Sequence, residues 1–378
     1  MNIRKLTDKD AYEHEKLASQ AFVFSYDPSG ALPLPSEIML GAFNDDGRLA
    51  ADMEIYDRVC FFGNTALSCA AVGGVASKPE YRRGGAVRAM LEEISAGNVI
   101  GKKWDISVLY PFSAAYYKKL GYAPVGAKLR ISVPFAELKD IPRANGAVLY
   151  EGKEKDSLLR IYNAWAQNNA LAFRRDDTSE WDKEPYSTGI YTYLMQTGGE
   201  YRSYAVFSLD RAKSEVSVKE LAYLDKESIF GILGFLRCFD GNFDTVVFEN
   251  EPISSPLPDI ISDRSKAKIS YSHAGAVKLL NTESVLKKHV YPEKAGCFTF
   301  CAAGETWEVN YAGGCAEVKK TDKKAVITAD RTAAAKLLLE GVRNARELEY
   351  YPGVEINGNA DDFVRAFPLS EIYFNDSF

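Results

Sequence analysis

Residues 75–90 read VASKPEYRRGGAVRAM, and this stretch decides how the rest of the chain is interpreted. An apolar strand pattern ends at Pro79, two arginines and two glycines follow, and an amphipathic helical pattern begins near Gly85. A glycine-rich turn from a strand into a helix presents unpaired backbone N–H groups at the positive end of the helix dipole. The stretch therefore predicts a site for an anion such as a phosphate group.

The spacing of the glycines excludes two common phosphate-binding motifs. A dinucleotide fingerprint requires G-x-G-x-x-G directly after a strand, and RRGGAV at residues 82–87 does not have that spacing. A P-loop requires a lysine followed by serine or threonine after its last glycine, and none follows here. An arginine-bearing loop of a different type remains.

Length, composition and charge narrow the class of protein. The chain has 378 residues, 46% of them hydrophobic, and a formal net charge of −6. This length suggests two or three domains, and the acidic balance argues against a general nucleic-acid binder. No apolar run reaches the ~18 residues of a membrane span, and the start of the sequence has no secretory signal. We therefore expect a cytoplasmic protein with neither nucleic-acid nor membrane partners.

The cysteines and histidines indicate neither a metal site nor a hydrolytic triad. Six scattered cysteines lack the spacing of a zinc site or a disulfide framework, so we expect no metal and buried free thiols. The three histidines lie outside any nucleophile motif. His14 is expected to face solvent or to pack on a helix.

Strand and helix patterns divide the chain into three blocks. The first ~130 residues predict the order β-α-β-β-β-α-β-α-β, in which Ser113 caps a short helix that Gly121 closes. A linker pattern at residues 137–147 precedes a second block with similar order, and a third α+β block begins near residue 276. The fold class is thus α/β (α+β) with mixed β-sheets, and the predicted domains are 1–135, 136–275 and 276–378.

Three pieces in order carry a resemblance to a known family. The arginine loop, the strand WDISVLY at residues 104–110 and YYKKLGYAP at residues 116–124 resemble the GNAT acyltransferases, whose cofactor loop reads R/Q-x-x-G-x-G/A. Val87 departs from that loop, since glycine or alanine is usual there. Two GNAT-like halves followed by an α+β module resemble the Eis (enhanced intracellular survival) family. The resemblance implies acetyl-CoA-dependent N-acetyltransferases built from two fused GNAT-like domains and a sterol-carrier-like C-terminal domain, commonly homohexamers.

The resemblance also implies a set of acetyl-CoA contacts at the end of the third strand, in the loop and after the fourth strand. Backbone N–H groups there suit pantetheine and pyrophosphate, and the arginines add positive charge, although each arginine could instead be a solvated surface group. The implied cofactor-binding residues are Val75, Ala76, Ser77, Arg83, Gly84, Gly85, Ala86, Val87, Arg88, Phe112 and Ser113.

The family's catalytic groups map onto two positions. Tyr117, four residues before Gly121, corresponds to the general acid that protonates the leaving thiolate, with Tyr116 as the structural alternative. Phe378 corresponds to the last residue, whose α-carboxylate assists removal of a proton from the amine. Each role is implied by the resemblance.

Several residues are candidates for binding the acceptor amine. Phe24, Tyr26 and Asp27 follow the first helix and could line a pocket for a cation, or form a plain packed loop. Asp376 lies beside the end of the chain and could add negative potential. The acceptor could be an aminoglycoside-like polyamine, a lysine side chain or a smaller amine.

Two functions remain open at this point. The leading hypothesis is acetyl transfer from acetyl-CoA directly to a primary amine, and a variant of it transfers longer acyl groups. The alternative is a non-catalytic carrier of an apolar ligand that keeps a vestigial GNAT core. The second block has no glycine-rich, arginine-bearing turn before its long helix, so we expect it to have lost cofactor binding.

Overall fold

The computed structural model describes residues 1–26, 34, 36, 38–374, 376 and 378. They form two compact units. The first contains Met1–Val125, Gly275–Ser370 and Phe378, and the second contains Gly126–Ala274 and Glu371–Asp376. The chain changes unit near residues 125 and 274, each time inside a strand.

The elements of the first stretch of chain follow the predicted order closely. The strands are β1 (Asn2–Lys5), β2 (Ile38–Phe43), β3 (Leu49–Phe62), β4 (Thr65–Ser77), β5 (Ile106–Leu109) and β6 (Ala123–Pro134). The helices are α1 (Ala11–Phe22), α2 (Ala86–Ala96) and α3 (Ala114–Lys118).

The second stretch contains the predicted strands and helices together with two strands, β8 and β12, and two short helices, α5 and α7, that its sequence pattern did not reveal. The strands are β7 (Ala147–Leu149), β8 (Ile190–Thr197), β9 (Glu200–Asp210), β10 (Glu215–Tyr223), β11 (Thr245–Glu251) and β12 (Lys268–Leu279). The helices are α4 (Lys155–Ala166), α5 (Pro185–Thr188), α6 (Lys226–Leu236) and α7 (Leu257–Ile260).

The third stretch supplies a separate small sheet and further helices. The strands are β13 (Gly296–Ala302), β14 (Glu305–Ala312), β15 (Cys315–Lys320), β16 (Ile327–Ala329) and β17 (Val354–Ile356). The helices are α8 (Thr282–Lys288), α9 (Arg331–Leu339), α10 (Ala345–Leu348) and α11 (Asp361–Ala366).

The first unit contains a mixed sheet in the order β1-β2-β3-β4-β5-β12. Neighbouring strands are antiparallel except for β4 and β5, which are parallel because α2 connects them. α2 packs on one face of this sheet through Met90, Leu91 and Ile94, and α1 packs against β3 and β4. The parallel pair positions the end of β4 directly before the loop of residues 78–85.

The second unit repeats this arrangement in the order β7-β8-β9-β10-β11-β6. Its single parallel pair is β10 with β11, connected by α6. β6 follows β5 in the chain but pairs with β11 and completes the second sheet. Likewise, β12 follows β11 in the chain but pairs with β5 and completes the first sheet. The sequence boundary near residue 276 falls within β12, where Ala276–Leu279 pair with β5.

The third stretch joins the first unit as a five-stranded sheet in the order β15-β14-β13-β16-β17. Its connection to the first sheet includes polar contacts at α8. The Thr65 hydroxyl donates to the Lys288 carbonyl oxygen at 2.7 Å, and Lys288 Nζ lies 2.7 Å from Oδ2 of the buried Asp105. The module therefore belongs to the same compact unit as the loop at residues 78–85.

All six cysteines lie in the described part of the chain, and the structure shows no disulfide among them. The expectation that they are buried is correct for Cys60 and Cys69 only, since Cys238, Cys297 and Cys315 are exposed and Cys301 is half-buried. Of the exposed thiols, Cys238 lies in a short 3-10 helix after α6, and Cys297 and Cys315 occupy outward-facing strand positions.

Candidate active site

Among the residues that the structure describes, no strand pairs with the end of β4 on its β5 side. The parallel ladder with β5 ends at the pair Val72–Leu109, whereas β4 continues to Ser77. On its other side β4 remains paired with β3 as far as Ser77. The backbone groups of residues 73–77 on the β5 side are therefore available to an extended ligand, as an exposed sheet edge is to a peptide.

A β-bulge lies within this free edge. Asp52 pairs with Ala76 but Glu54 pairs with Gly73, so Gly74 and Val75 both stand opposite Met53. Gly74 has φ of 55°, and a Cβ there would lie 2.2 Å from Glu54 Oε1, so glycine is required by both conformation and space. Bulges redirect backbone groups next to active sites.

The loop after β4 contains two left-handed residues, Arg83 and Gly85, with φ of 67° and 85°. Such residues in a turn help to form concave groups of N–H donors that bind anions. The loop leads into the first turn of α2, whose N–H groups have no intrahelical acceptor. Arg82, Arg83 and Arg88 are exposed and, among the described residues, have no ion-pair partner.

The strand end and the loop border one cavity of about 850 Å³. Nine of the predicted cofactor-binding residues line it: Val75, Ala76, Ser77, Arg83, Gly85, Ala86, Val87, Arg88 and Phe112. Gly84 and Ser113 do not; Ser113 instead caps α3, where its side chain accepts from the Tyr116 N–H. Tyr116, the structural alternative to Tyr117 in the sequence analysis, also lines the cavity, together with residues that the sequence did not single out: Ala21, Phe22, Tyr81, Lys119 and Leu120.

Val87 is the residue that departs from the usual loop pattern. It is the second residue of α2, lines the cavity and packs against the core formed with Met90, Leu91 and Ile94. A larger side chain is accommodated there because it points along the apolar face of the helix.

Tyr117 is not among the residues that line the cavity; it is 3% exposed and contacts the rings of two residues that do, Phe112 and Tyr116. Burial, and secondarily the neighbouring Tyr116, raise the pKa of its hydroxyl to about 12. Its ring contacts those of Phe112, Tyr116 and Tyr122 at centroid distances of 5.4, 5.1 and 5.9 Å. Phe112 is 80% exposed, an unusual position for a phenylalanine that lines a cavity.

Phe378 lies on the first sheet, against the free end of β4. A Cβ on Gly73 would lie 2.5 Å from the carbonyl carbon of Phe378, so the absence of a side chain makes room for the carboxyl group. The Phe378 ring stacks on Tyr110 at 5.0 Å and contacts Tyr56 at 6.4 Å. The last residue of the sequence therefore reaches the strand end that also borders the cavity.

A row of polar residues on β3 was missed by the sequence reasoning. Asp52, Glu54 and Tyr56 alternate along the strand and so share one face, and the Tyr56 hydroxyl donates to Glu54. Glu54 stands directly opposite Gly73 in the ladder. These polar residues recur at every second position of an otherwise apolar strand, and this alternation is the sequence signal that could have revealed them. Glu54, opposite Gly73, brings a carboxylate to the region of the Phe378 carboxyl group.

His14, on α1, contacts the same face of β3; of the two expected positions, solvent or packing on a helix, solvent exposure is wrong. It is 7% exposed, and its Nδ1 lies 2.9 Å from Oδ2 of Asp52, which is fully buried. Burial opposes protonation, but the hydrogen bond and charge of Asp52 prevail and raise the pKa of His14. The pair fixes α1 on the sheet.

The predicted acceptor-binding residues have separate positions. Phe24 is exposed, and Tyr26 packs edge-on against Tyr12 at 5.6 Å; neither lines the cavity. Asp27 lies outside the described residues.

Asp376 is not exposed to a site where it could contact the acceptor amine. It is 5% exposed and belongs to the second unit, where Arg175 Nη2 lies 2.5 Å from its Oδ1. The same guanidinium binds Glu220 through two nitrogens at 3.0 and 2.7 Å. Asp376 is therefore engaged in a buried ion pair, which sequence spacing could not reveal.

The corresponding region of the second unit differs in charge. Only Leu224 and Asp225 separate β10 from α6, and the Asp225 side chain accepts from the Ser228 N–H at 2.8 Å. The helix N-terminus thus carries its own carboxylate, which opposes binding of a phosphate. Within the described ranges no group of histidine, cysteine, aspartate and glutamate could hold a metal ion, and no helix is long and apolar enough to cross a membrane.

Comparisons with known proteins agree with this architecture. A family model described as an acetyltransferase (GNAT) domain matches residues 2–125, and a second model of the same description matches residues 165–277. The chain is 22% identical to the N-acetyltransferase Eis of Mycobacterium bovis over 303 residues, or 75% of this chain and 73% of that protein. It is likewise 22% identical over 298 residues to the N-acetyltransferase Eis of Mycobacterium tuberculosis, covering 73% and 72% of the two chains.

Solved structures share the fold over the whole chain. A GCN5-related N-acetyltransferase of Anabaena variabilis superposes with a TM-score of 0.85 at 19% identity, and Eis1 of Mycobacterium abscessus with 0.80 at 18%. Both comparisons cover 100% of each chain. The matched models identify residues 2–125 and 165–277 as GNAT acetyltransferase domains, so the chain is an acetyltransferase, and it is similar over about three quarters of its length to the Eis N-acetyltransferases.

Proposed function

We propose that the protein transfers an acetyl group from acetyl-CoA to a primary amine in the first unit. The observation that carries the proposal is the position of Phe378, whose carboxyl group lies over Gly73 where β4 leaves β5. A carboxylate at that point is beside the free strand edge and close to the cavity that fits the cofactor. It can hold an acceptor ammonium group and receive its proton.

The residues around the cavity fit acetyl-CoA. The free edge of β4 suits the amide groups of the extended pantetheine arm, and the loop with its arginines suits the pyrophosphate. Arg83 and Arg88 line the cavity without competing carboxylates in the described part of the chain. Bound acetyl-CoA supplies the thioester carbon that the amine attacks.

The chain's own groups would move two protons. An amine with a reference pKa of ~10 must lose a proton before it attacks, and the Phe378 carboxylate, supported by Glu54, accepts it directly or through water. The C–N bond forms as the C–S bond breaks, and Tyr117 donates to the departing sulfur. N–H groups at the Gly74–Val75 bulge stabilise the charge that develops on the carbonyl oxygen.

The raised pKa of Tyr117 refines its role. A hydroxyl with a pKa of about 12 stays protonated at neutral pH, whereas a thiol has a reference pKa of ~8.5. Full transfer of the proton from the Tyr117 hydroxyl to the thiolate is therefore thermodynamically unfavourable. We infer that Tyr117 donates a hydrogen bond to the sulfur, and that its proton passes to the thiolate only as a proton from solvent replaces it.

The acceptor class is tested with a panel of amines and acetyl-CoA, by following release of CoA thiol and acetylation of the product by mass spectrometry. We expect turnover with primary amines, most with compounds that carry several, because Glu54 and Phe378 present two neighbouring carboxylates. Matched alcohols are the control and should give no product. Absence of thiol release with every amine, together with a thermal shift by lipids but not by acetyl-CoA, would support the apolar-ligand carrier instead.

A further inference from the structure

A second cavity, of about 440 Å³, adjoins the proposed cofactor cavity. The two share Arg88, Lys119 and Leu120 in their linings. The second cavity extends along α2 to Glu92, one turn beyond Arg88. Its far wall comes from residues that follow the matched GNAT domains, namely Lys278 on β12 and Arg331 at the start of α9.

The lining of this cavity is strongly cationic. Five basic side chains line it, Arg88, Lys118, Lys119, Lys278 and Arg331, against the two carboxylates of Glu92 and Asp330. None of the five has an ion-pair partner among the residues that the structure describes. The Asp330 side chain caps α9, because it accepts a hydrogen bond from the Ala333 N–H at 2.8 Å.

Lys278 and Arg331 converge on the turn that closes α3. A Cβ on Gly121 would lie 3.7 Å from Lys278 Cε and 3.8 Å from Arg331 Cβ. Lys278 is half-buried, and its burial, followed by the charge of Arg331, lowers the pKa of its ammonium group. Glu92 offsets these effects only in part, so the two cations remain mutually repulsive, and a bound anion would relieve that repulsion.

We propose that this cavity binds a phosphate monoester, and that in the cofactor-bound protein the 3′-phosphate of CoA occupies it. The inference rests on the proposed function, since it assumes that CoA lies in the adjoining cavity. CoA carries its 3′-phosphate one ribose away from the pyrophosphate. The shared residue Arg88 lies between the pyrophosphate loop and the cationic wall, so a ligand anchored at the loop reaches Lys278 and Arg331 with its next anionic group.

This assignment gives the C-terminal module a role at the active site. Arg331 is the first residue of α9, which packs against β16 of the five-stranded sheet, and Lys278 is one of the residues of β12 that pair with β5. The module thereby adds a wall that selects CoA over analogues without the 3′-phosphate. Such selection acts on binding and leaves the chemical step unchanged.

The test compares the affinities of CoA and 3′-dephospho-CoA by titration calorimetry on the full chain. The unmodified protein is expected to bind CoA roughly 10-fold or more tightly than dephospho-CoA, since charged hydrogen bonds are lost with the phosphate. Arg331→Ala and Lys278→Met should each weaken CoA binding and leave dephospho-CoA binding unaltered. Arg343→Ala, an exposed arginine elsewhere in the same unit, is the matched control and should change neither affinity.

The outcomes separate the inference from the proposed function. Equal affinity of the unmodified protein for both ligands, or discrimination that survives in both variants, overturns the inference but leaves CoA binding intact. Failure to bind either ligand overturns the proposed function as well. If the ligands bind equally while inorganic phosphate raises the Tm of the unmodified protein and not of Arg331→Ala, the cavity binds free phosphate and the CoA assignment is wrong.

Discussion

Replacing Tyr117 with phenylalanine is expected to lower kcat by roughly 10²–10⁴-fold, the usual contribution of a positioned proton donor. The change removes one hydroxyl from a side chain that is 3% exposed and keeps its ring contacts with Phe112, Tyr116 and Tyr122. Stability and affinity for CoA should therefore stay close to those of the unmodified protein. Steady-state rates of thiol release, with CoA affinity measured separately, distinguish the chemical step from binding.

The pH dependence of the same reaction gives an independent check. Because burial raises the pKa of Tyr117 to about 12, the hydroxyl keeps its proton and should cause no alkaline fall in kcat below about pH 11. Tyr350→Phe, at an exposed position outside both cavities, is the control. Loss of turnover in Tyr116→Phe but not in Tyr117→Phe would assign the donor to the neighbouring ring.

Replacing Arg175 with methionine is expected to cost about 3–5 kcal/mol of stability, because it leaves two buried carboxylates uncompensated. Arg175 is 7% exposed and binds both Glu220 and Asp376, and its guanidinium lies over the Tyr162 and Trp181 rings at 3.8 and 4.5 Å. Urea unfolding of the full chain measures the loss.

A neighbouring arginine provides the control for this prediction. Arg174 lies on the surface and pairs with the exposed Asp176 at 3.0 Å. Arg174→Met should change stability by no more than about 1 kcal/mol, as exposed ion pairs contribute little. A loss of similar size in both variants would mean that the buried carboxylates find other partners or become protonated without penalty.

The local features of the site could be read from the sequence because each depends on neighbouring residues. Gly85 before an apolar helical pattern predicts α2, Ser113 predicts the cap of α3, and Gly121 predicts its end. Nine of the eleven predicted cofactor residues line one cavity. Eight of them lie in the two short segments 75–77 and 83–88, and the ninth, Phe112, follows β5.

The remaining features depend on residues that are distant in sequence. Asp376 binds Arg175 across 201 positions, and no local pattern signals that contact. The bulge at Gly74 arises from the register of β3 against β4. β12 escaped prediction because its first half is polar and exposed while only its end pairs with β5. Long-range pairing of this kind is set by the whole fold.

The placement of Lys278 and Arg331 shows the same limit. Both lie in the block of residues 276–378, which the resemblance relates to a sterol-carrier-like domain and not to the cofactor. The structure places them beside Gly121, more than 150 residues earlier in the chain. The identity of that block as a sterol-carrier-like domain stays a prediction, as do the three domain boundaries and the hexameric assembly.

The central claim is that the terminal carboxylate of Phe378 takes part in deprotonating the acceptor. Its most direct test is a protein that ends in Phe378 carboxamide, made by joining a synthetic C-terminal peptide, because this change removes the charge and keeps the shape. We predict that kcat/KM for a primary amine falls by roughly 10²–10⁴-fold at neutral pH, with Tm and CoA affinity unchanged. Turnover by the carboxamide equal to that of the carboxylate form would contradict the account.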